Sequence, residues 1–199
     1  MPRGGFFLIA ALLLAPGSKA MTVIPPTFAE LVAESSTIVR GTVKEIRSEK
    51  VPGARGALIK TFVTFRVSSA LKGAQLNQEV TLSFLGGTVD DERMEIPGMP
   101  SFEVGREDYL FVSPKKGICP LVGAMHGRYR LITPQKDNRP YVAREDHTPL
   151  VRISDVVLPM RSNSDAAGLN ATPDAITPAE FEKSVLNEIA RSSTSRARP

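Results

Sequence analysis

Cys119, His126 and His147 are the chain's whole stock of thiol and imidazole side chains. A cysteine becomes a nucleophile when a neighbouring base takes its proton, so Cys119 with either histidine could in principle serve a thiol or hydrolytic enzyme. Its setting argues otherwise: in G-I-C-P-L-V-G the thiol is flanked by Ile118 and Leu121, and a free cysteine in apolar surroundings packs as a small hydrophobe. Reactive thiols need an electropositive, exposed site instead. Zinc wants three or four His, Cys or carboxylate ligands, and the H-x-x-x-H spacing is missing. His126, in G-A-M-H-G-R-Y at the start of a strand, suits packing or hydrogen bonding better than ligation. Neither a G-x-S-x-G elbow nor a phosphate-binding glycine loop is present, and no cofactor is implied.

The second constellation is acidic. Asp90, Asp91, Glu92 and Glu95 fall in G-G-T-V-D-D-E-R-M-E-I-P-G-M-P-S-F-E-V-G, residues 86–105. Calcium takes about six oxygen ligands, and the alternating Asp/Asn pattern of a calcium loop is not there, so solvation is the better reading of these carboxylates. The stretch is broken by Gly and Pro and is longer than a compact domain spends on a connection, which marks it as functional or loosely ordered. Irregular loops on a rigid scaffold are where recognition is placed. The residues expected to bind are therefore Asp90, Asp91, Glu92, Arg93, Glu95, Met99 and Phe102. A third pattern, Lys60, Arg66, Arg128 and Arg130 with Phe62 and Tyr129 between them, could stack and neutralise a single nucleic-acid strand. Those basic side chains fall on expected solvent faces, where they need no partner.

The elements that must position these residues read mostly as strands. In Ile59 to Val67, Ile59, Thr61, Val63, Phe65 and Val67 alternate with Lys60, Thr64 and Arg66, the period of two of a half-buried strand. Leu71-Lys72-Gly73 reverses the chain, and Val80, Leu82 and Phe84 alternate again. Upstream, Thr37 to Ile46 reads as a first strand, with Gly41 suggesting a bulge. Ser48 to Ala57, with Pro52, Gly53 and Gly56, reads as a mobile hairpin loop. Tyr109–Ser113, Arg128–Thr133 and Tyr141–Ala143 complete the set, the last two joined by a turn at Lys136-Asp137-Asn138. In Arg128–Thr133, Tyr129 and Leu131 form the apolar side and the arginines the polar one. Thr27-x-x-Glu30 and Thr177-Pro178-x-Glu180 are capping boxes. They open a short helix carrying Phe28, Leu31 and Val32, and a carboxy-terminal helix to about Arg191 with a Phe181, Val185, Ile189 stripe joined by Leu186.

The first twenty residues have Arg3, then an apolar run Phe6–Ala15, then Ser18 and Ala20, the layout of a secretory leader cleaved near Ala20. A membrane span needs about 20 apolar residues, roughly twice that run, and no later stretch qualifies. The chain is expected to be extracytoplasmic, periplasmic or secreted. Of 25 Lys+Arg, Arg3 and Lys19 leave with the leader, and 25 − 2 = 23 basic residues then face 21 acidic ones. That near balance gives little reason for a polyanion partner, which weighs against nucleic acid. One Cys excludes an internal disulfide framework, so the core alone must hold the fold.

With the strands placed, S-T-I-V-R-G-T-V, F-R-V-S-S-A-L-K-G, E-V-T-L-S-F and G-R-E-D-Y-L-F over Phe28–Thr133 resemble the netrin-like branch of the OB-fold. The order I-V-x-G-x-V, A-L-K-G, G-G, P-x-F-x-x-G is similar to that of exported bacterial proteins of the same shape. The resemblance implies a mainly β fold: a small five- to six-stranded OB-like (netrin-like) barrel with a short N-terminal helix and a C-terminal helix. In tissue inhibitors of metalloproteases, an amino-terminal Cys of this barrel chelates the protease zinc. Here the expected mature start is Met21 and the family's disulfide cysteines are missing, so no functional residue carries over. The layout is then a leader (1–20), a barrel domain (21–160), a linker (161–176), a helix (177–191) and a disordered tail (192–199). The leading function is a non-enzymatic exported binding or structural module, taking another extracytoplasmic protein through residues 86–105. The alternatives are a thiol enzyme and an oligonucleotide-binding OB domain.

Overall fold

A computed structural model describes residues 24–54, 56–135, 138–160 and 174–196. The leader (1–20), the turn residues Lys136 and Asp137, most of the linker (161–173) and the last three residues of the tail lie outside the described residues. Helix α1 (Phe28–Glu34) starts where the sequence places it. Thr27 accepts from the Glu30 amide, and the Glu30 carboxylate accepts from the Thr27 amide at 2.7 Å. That reciprocal pair satisfies two amides that a helix start leaves free.

Six strands follow in one antiparallel sheet: β1 (Thr37–Gly53), β2 (Gly56–Lys72), β3 (Glu79–Leu85), β6 (Glu107–Val112), β7 (Arg128–Ile132) and β8 (Tyr141–Ala143). Their spatial order is β3-β2-β1-β6-β7-β8. Three hairpin-linked strands and a fourth that returns by a long connection beside the first make a Greek key. The protein is mainly β, with α1 and a second helix, α2 (Pro178–Arg196), packed on the sheet. Among the described residues no helix is long and apolar enough to cross a membrane. No ladder joins β3 to β8, so the sheet keeps two edges and is not closed into a barrel.

The alternation read in β2 holds: Ile59, Val63, Phe65 and Val67 are buried. Val63, Phe65 and Val67 lie with Val39, Val43, Leu82, Phe84 and Leu110 on the inner, concave face. The opposite face, carrying Ile38, Tyr109, Phe111, Tyr129 and Val142, is covered by Leu31 and Val32 of α1 and by Phe181 and Val185 of α2. The β1–β2 register shifts at Arg40/Gly41 and again at Val43/Glu45. Such bulges add twist and curl the sheet.

Four expectations need correction. Ser48 to Ala57 is strand rather than mobile loop: the ladder runs on from Ser48↔Thr61 to Gly53↔Gly56, giving two 17-residue strands. Its Pro and Gly cluster marks only the tip. Residues 86–105 contain a hairpin of their own, β4 (Gly87–Val89) and β5 (Glu92–Met94), turning at Asp90 with φ 51°. Helix α2 continues to Arg196, so residues 192–196 are helical rather than disordered. Its Leu186 is half exposed and stands outside the buried stripe. The linker's end is packed, with Ala175 buried and the Ile176 carbonyl accepting from the Val142 amide at 2.9 Å.

Candidate functional site

Where β3 ends, Gly86 and Gly87 take φ of 102° and 136° and lead the chain off the sheet. A side chain at Gly87 would run into Thr61 Oγ1 and would approach Ser48 Oγ to 2.6 Å. The glycines therefore let the backbone pass directly over a hydroxyl pair. Ser48 Oγ and Thr61 Oγ1 lie 2.9 Å apart, and Thr61 donates to the Gly86 carbonyl at 2.7 Å. Beyond this crossing the β4–β5 hairpin and residues 96–102 fold back across the concave face. They leave a cleft of about 580 Å³ between themselves and the sheet. Its floor is Ile46, Val63 and Phe84, and its opposing wall is Met94, Ile96, Met99 and Phe102.

The wall is fixed from beneath by a buried cation. Arg128 is fully buried, its guanidinium 4.1 Å from the centroid of the Phe102 ring. It donates to the Ser101 carbonyl, to Asp108 Oδ2 at 3.0 Å and to Glu145 at 2.9 Å, and Arg130 donates to Glu145 at 3.2 Å. Phe102 also meets Phe65 and Phe84 at 5.3 and 5.0 Å between centroids. Burial pushes the carboxyls of Asp108 and Glu145 above the usual range, against the opposing pull of Arg128. A buried charge set of this kind adds little net stability beside an apolar equivalent. What Arg128 positions here is residues 101 and 102, through the Ser101 carbonyl and the Phe102 ring.

Of the residues expected to bind, Arg93, Glu95, Met99 and Phe102 line the cleft. Asp90 and Asp91 are exposed at the hairpin turn, and Glu92 accepts from Lys50 Nζ at 2.6 Å. Arg93 and Glu95 pair with each other on the exposed rim. Among the described residues no three His, Cys, Asp or Glu side chains gather as a metal would require. Cys119 packs on the inner core, and burial pushes its thiol up, away from the thiolate a nucleophile needs. His126 is buried, its imidazolium disfavoured first by burial and then by Arg144, and its Nδ1 has no hydrogen-bond partner among the described residues. His147 is exposed at a position with φ 63°.

The basic stripe does not assemble. Arg128 and Arg130 point to the inside of the sheet and are consumed by Asp108 and Glu145, and Tyr129 is buried under α2 on the other face. Phe62 is covered by Arg47 at 4.7 Å, and Arg66 pairs with Glu79 at 3.5 Å. In R-Y-R-L the alternation holds and Tyr129 lies on the core side as expected, but the arginine side is buried as well rather than wet. Sequence reasoning missed the sheet side of the cleft, although one signal was there: Thr61 is a hydroxyl in an otherwise apolar inward row. Comparison with family models, with curated proteins and with solved structures finds no match to this chain.

Proposed function

We propose that this chain is an exported, non-enzymatic binding module that receives an apolar segment of another extracytoplasmic protein in the cleft beneath residues 86–102. The observation that carries the reading is the cleft itself. At about 580 Å³ it lies within the size range of ligand sites, and its sheet floor and its pinned wall are mostly apolar. Met94 and Met99 on the wall add soft, adaptable surface of the kind used to fit varied apolar side chains. Export is supported by Arg3, the apolar run Phe6–Ala15 and Ala20. The Greek-key order and the curl of the β1–β2 hairpin support the OB-like, netrin-like reading of the fold, taken as a partly open form.

The test is a photo-crosslinking residue placed at Met99, compared with one at the exposed turn residue Asn77, in extracytoplasmic extracts. A discrete adduct from position 99 that disappears in Val63→Arg, with that variant still folded by circular dichroism, is the expected result. Identical adducts from both positions, or an adduct insensitive to the cleft variant, would remove the proposal. Should Val63→Arg not fold, Met94→Lys on the wall gives the same comparison.

A further inference from the structure

The two edges of the sheet are treated differently. At the β8 edge, the Val142 amide is taken by the Ile176 carbonyl, the Leu150 amide returns to Val142, the Arg144 amide goes to Thr148, and Ala143 bridges Pro149. Among the described residues the β3 edge has no such cover along most of its length. Strand β3 pairs with β2 in unbroken register from Glu79↔Arg66 to Leu85↔Lys60. The Gly86 amide donates to Ile59 on the β2 side, whereas the Leu85 amide points the other way, to the Ile118 carbonyl at 2.9 Å. Because backbone groups of alternate residues face opposite sides of a strand, those of Glu79, Thr81 and Ser83 point away from the sheet like those of Leu85. No strand among the described residues pairs with them. The strand E-V-T-L-S-F-L also carries no Lys, no Pro and no bulge, the devices that ordinarily protect an edge.

We infer that β3 is a self-association edge, on which β3 of a second copy of this chain pairs antiparallel about a two-fold axis at Thr81. The register follows from which groups are open. Hydrogen-bonded pairs must join outward-facing residues, and Leu85 is already engaged by Ile118. Thr81 opposite Thr81, flanked by Glu79 opposite Ser83, uses all three open residues and no occupied one. The same register sets Val80 opposite Leu82 of the second copy on the concave face. It opposes no like charges, since Glu79 faces a serine and keeps Arg66 at 3.5 Å. Leu76 and Ile118, 61% and 45% exposed, flank the two ends of the edge. Under the two-fold, the turn bearing Leu76 in one copy passes the Ile118 end of the other, so each apolar side chain is covered by its opposite number. A ladder this short belongs to the small, weak class of interfaces.

Sedimentation equilibrium on the purified chain should give a monomer–dimer equilibrium that shifts with concentration. Thr81→Lys, at an exposed position, should abolish the dimer while leaving the circular dichroism spectrum unchanged, because it sets two ammonium groups across the axis and gives up within the chain only the hydroxyl contact to Thr64. Mixing Thr81→Lys with Thr81→Glu should restore association between the unlike chains. A measurement free of substitutions is amide hydrogen exchange of the unaltered chain, where Thr81 and Ser83 should gain protection as concentration rises. A monomer at every concentration up to on the order of 1 mM would overturn the inference, as would a dimer that Thr81→Lys leaves intact. Capture of an unrelated strand on β3 by a chain that stays monomeric alone would overturn it too.

Discussion

Arg128, itself fully buried, holds a carbonyl, two carboxylates and an aromatic ring, and its partners carry the electrostatic cost. Asp108 and Glu145 have folded-state pKa values raised by burial above the ordinary carboxylate range of about 4. As pH falls from neutrality, these two groups therefore take up protons in the folded chain before the unfolded chain does. By linkage, their contribution makes the fold more stable as pH drops through the folded pKa values. The gain levels off once the unfolded chain protonates as well. Asp108→Asn should remove part of that slope, visible in urea midpoints measured between about pH 7 and pH 5. A steeper slope in the variant than in the parent would contradict the assignment. The same residue shows why the polar side of β7 was misread: alternation in R-Y-R-L fixes which residues share a face but not which face is wet. Only the placement of Asp108, Glu145 and α2 decides that, and none of these is a neighbour in sequence.

At the scale of elements, legibility tracks whether local chemistry or distant packing decides. Both capping boxes were readable because four consecutive residues contain the whole device. In α2 the Thr177 hydroxyl donates to the Glu180 carboxylate at 2.7 Å, and the Glu180 amide returns to the Thr177 hydroxyl. Strand β2 was readable because its inner half is buried on one face only. The outer arms of the β1–β2 hairpin were not, since paired backbone without a buried row leaves no periodic trace. The return of residues 96–102 over the concave face was equally invisible, since Phe102 finds Phe65, Phe84 and Arg128 only in three dimensions. The two ends of this scale can be compared within α2. Thr177→Ala removes one cap and should cost about 1 kcal/mol. Phe181→Ala opens the space between Tyr109, Phe111 and Tyr129 and should cost about 3–5 kcal/mol. Chemical denaturation of both variants measures the pair, and a cap loss equal to the core loss would mean that α2 is held by its own propensity rather than by the sheet.

For the whole molecule, the consequence of one sheet with two covered faces is mechanical coupling. Strand β1 sends Ile38 to the helix side and Val39 and Val43 to the concave side, and β6 sends Tyr109 and Phe111 one way and Leu110 the other. Neither core can loosen without disturbing strands that the other depends on, so the two should melt together. The chain offers a convenient reporter, because it has no Trp and three Tyr, of which Tyr109 and Tyr129 sit in the helix-side core. Phe65 is fully buried in the opposite core. Phe65→Ala should destabilise by about 3–5 kcal/mol. The tyrosine fluorescence midpoint should move as far as the far-ultraviolet circular dichroism midpoint, in a single transition. A tyrosine transition left in place while the dichroism shifts would mean that the helix-covered face and the concave face fold as separate units. The cleft wall, anchored through Arg128 to β6 and β7, would then be set by one face alone.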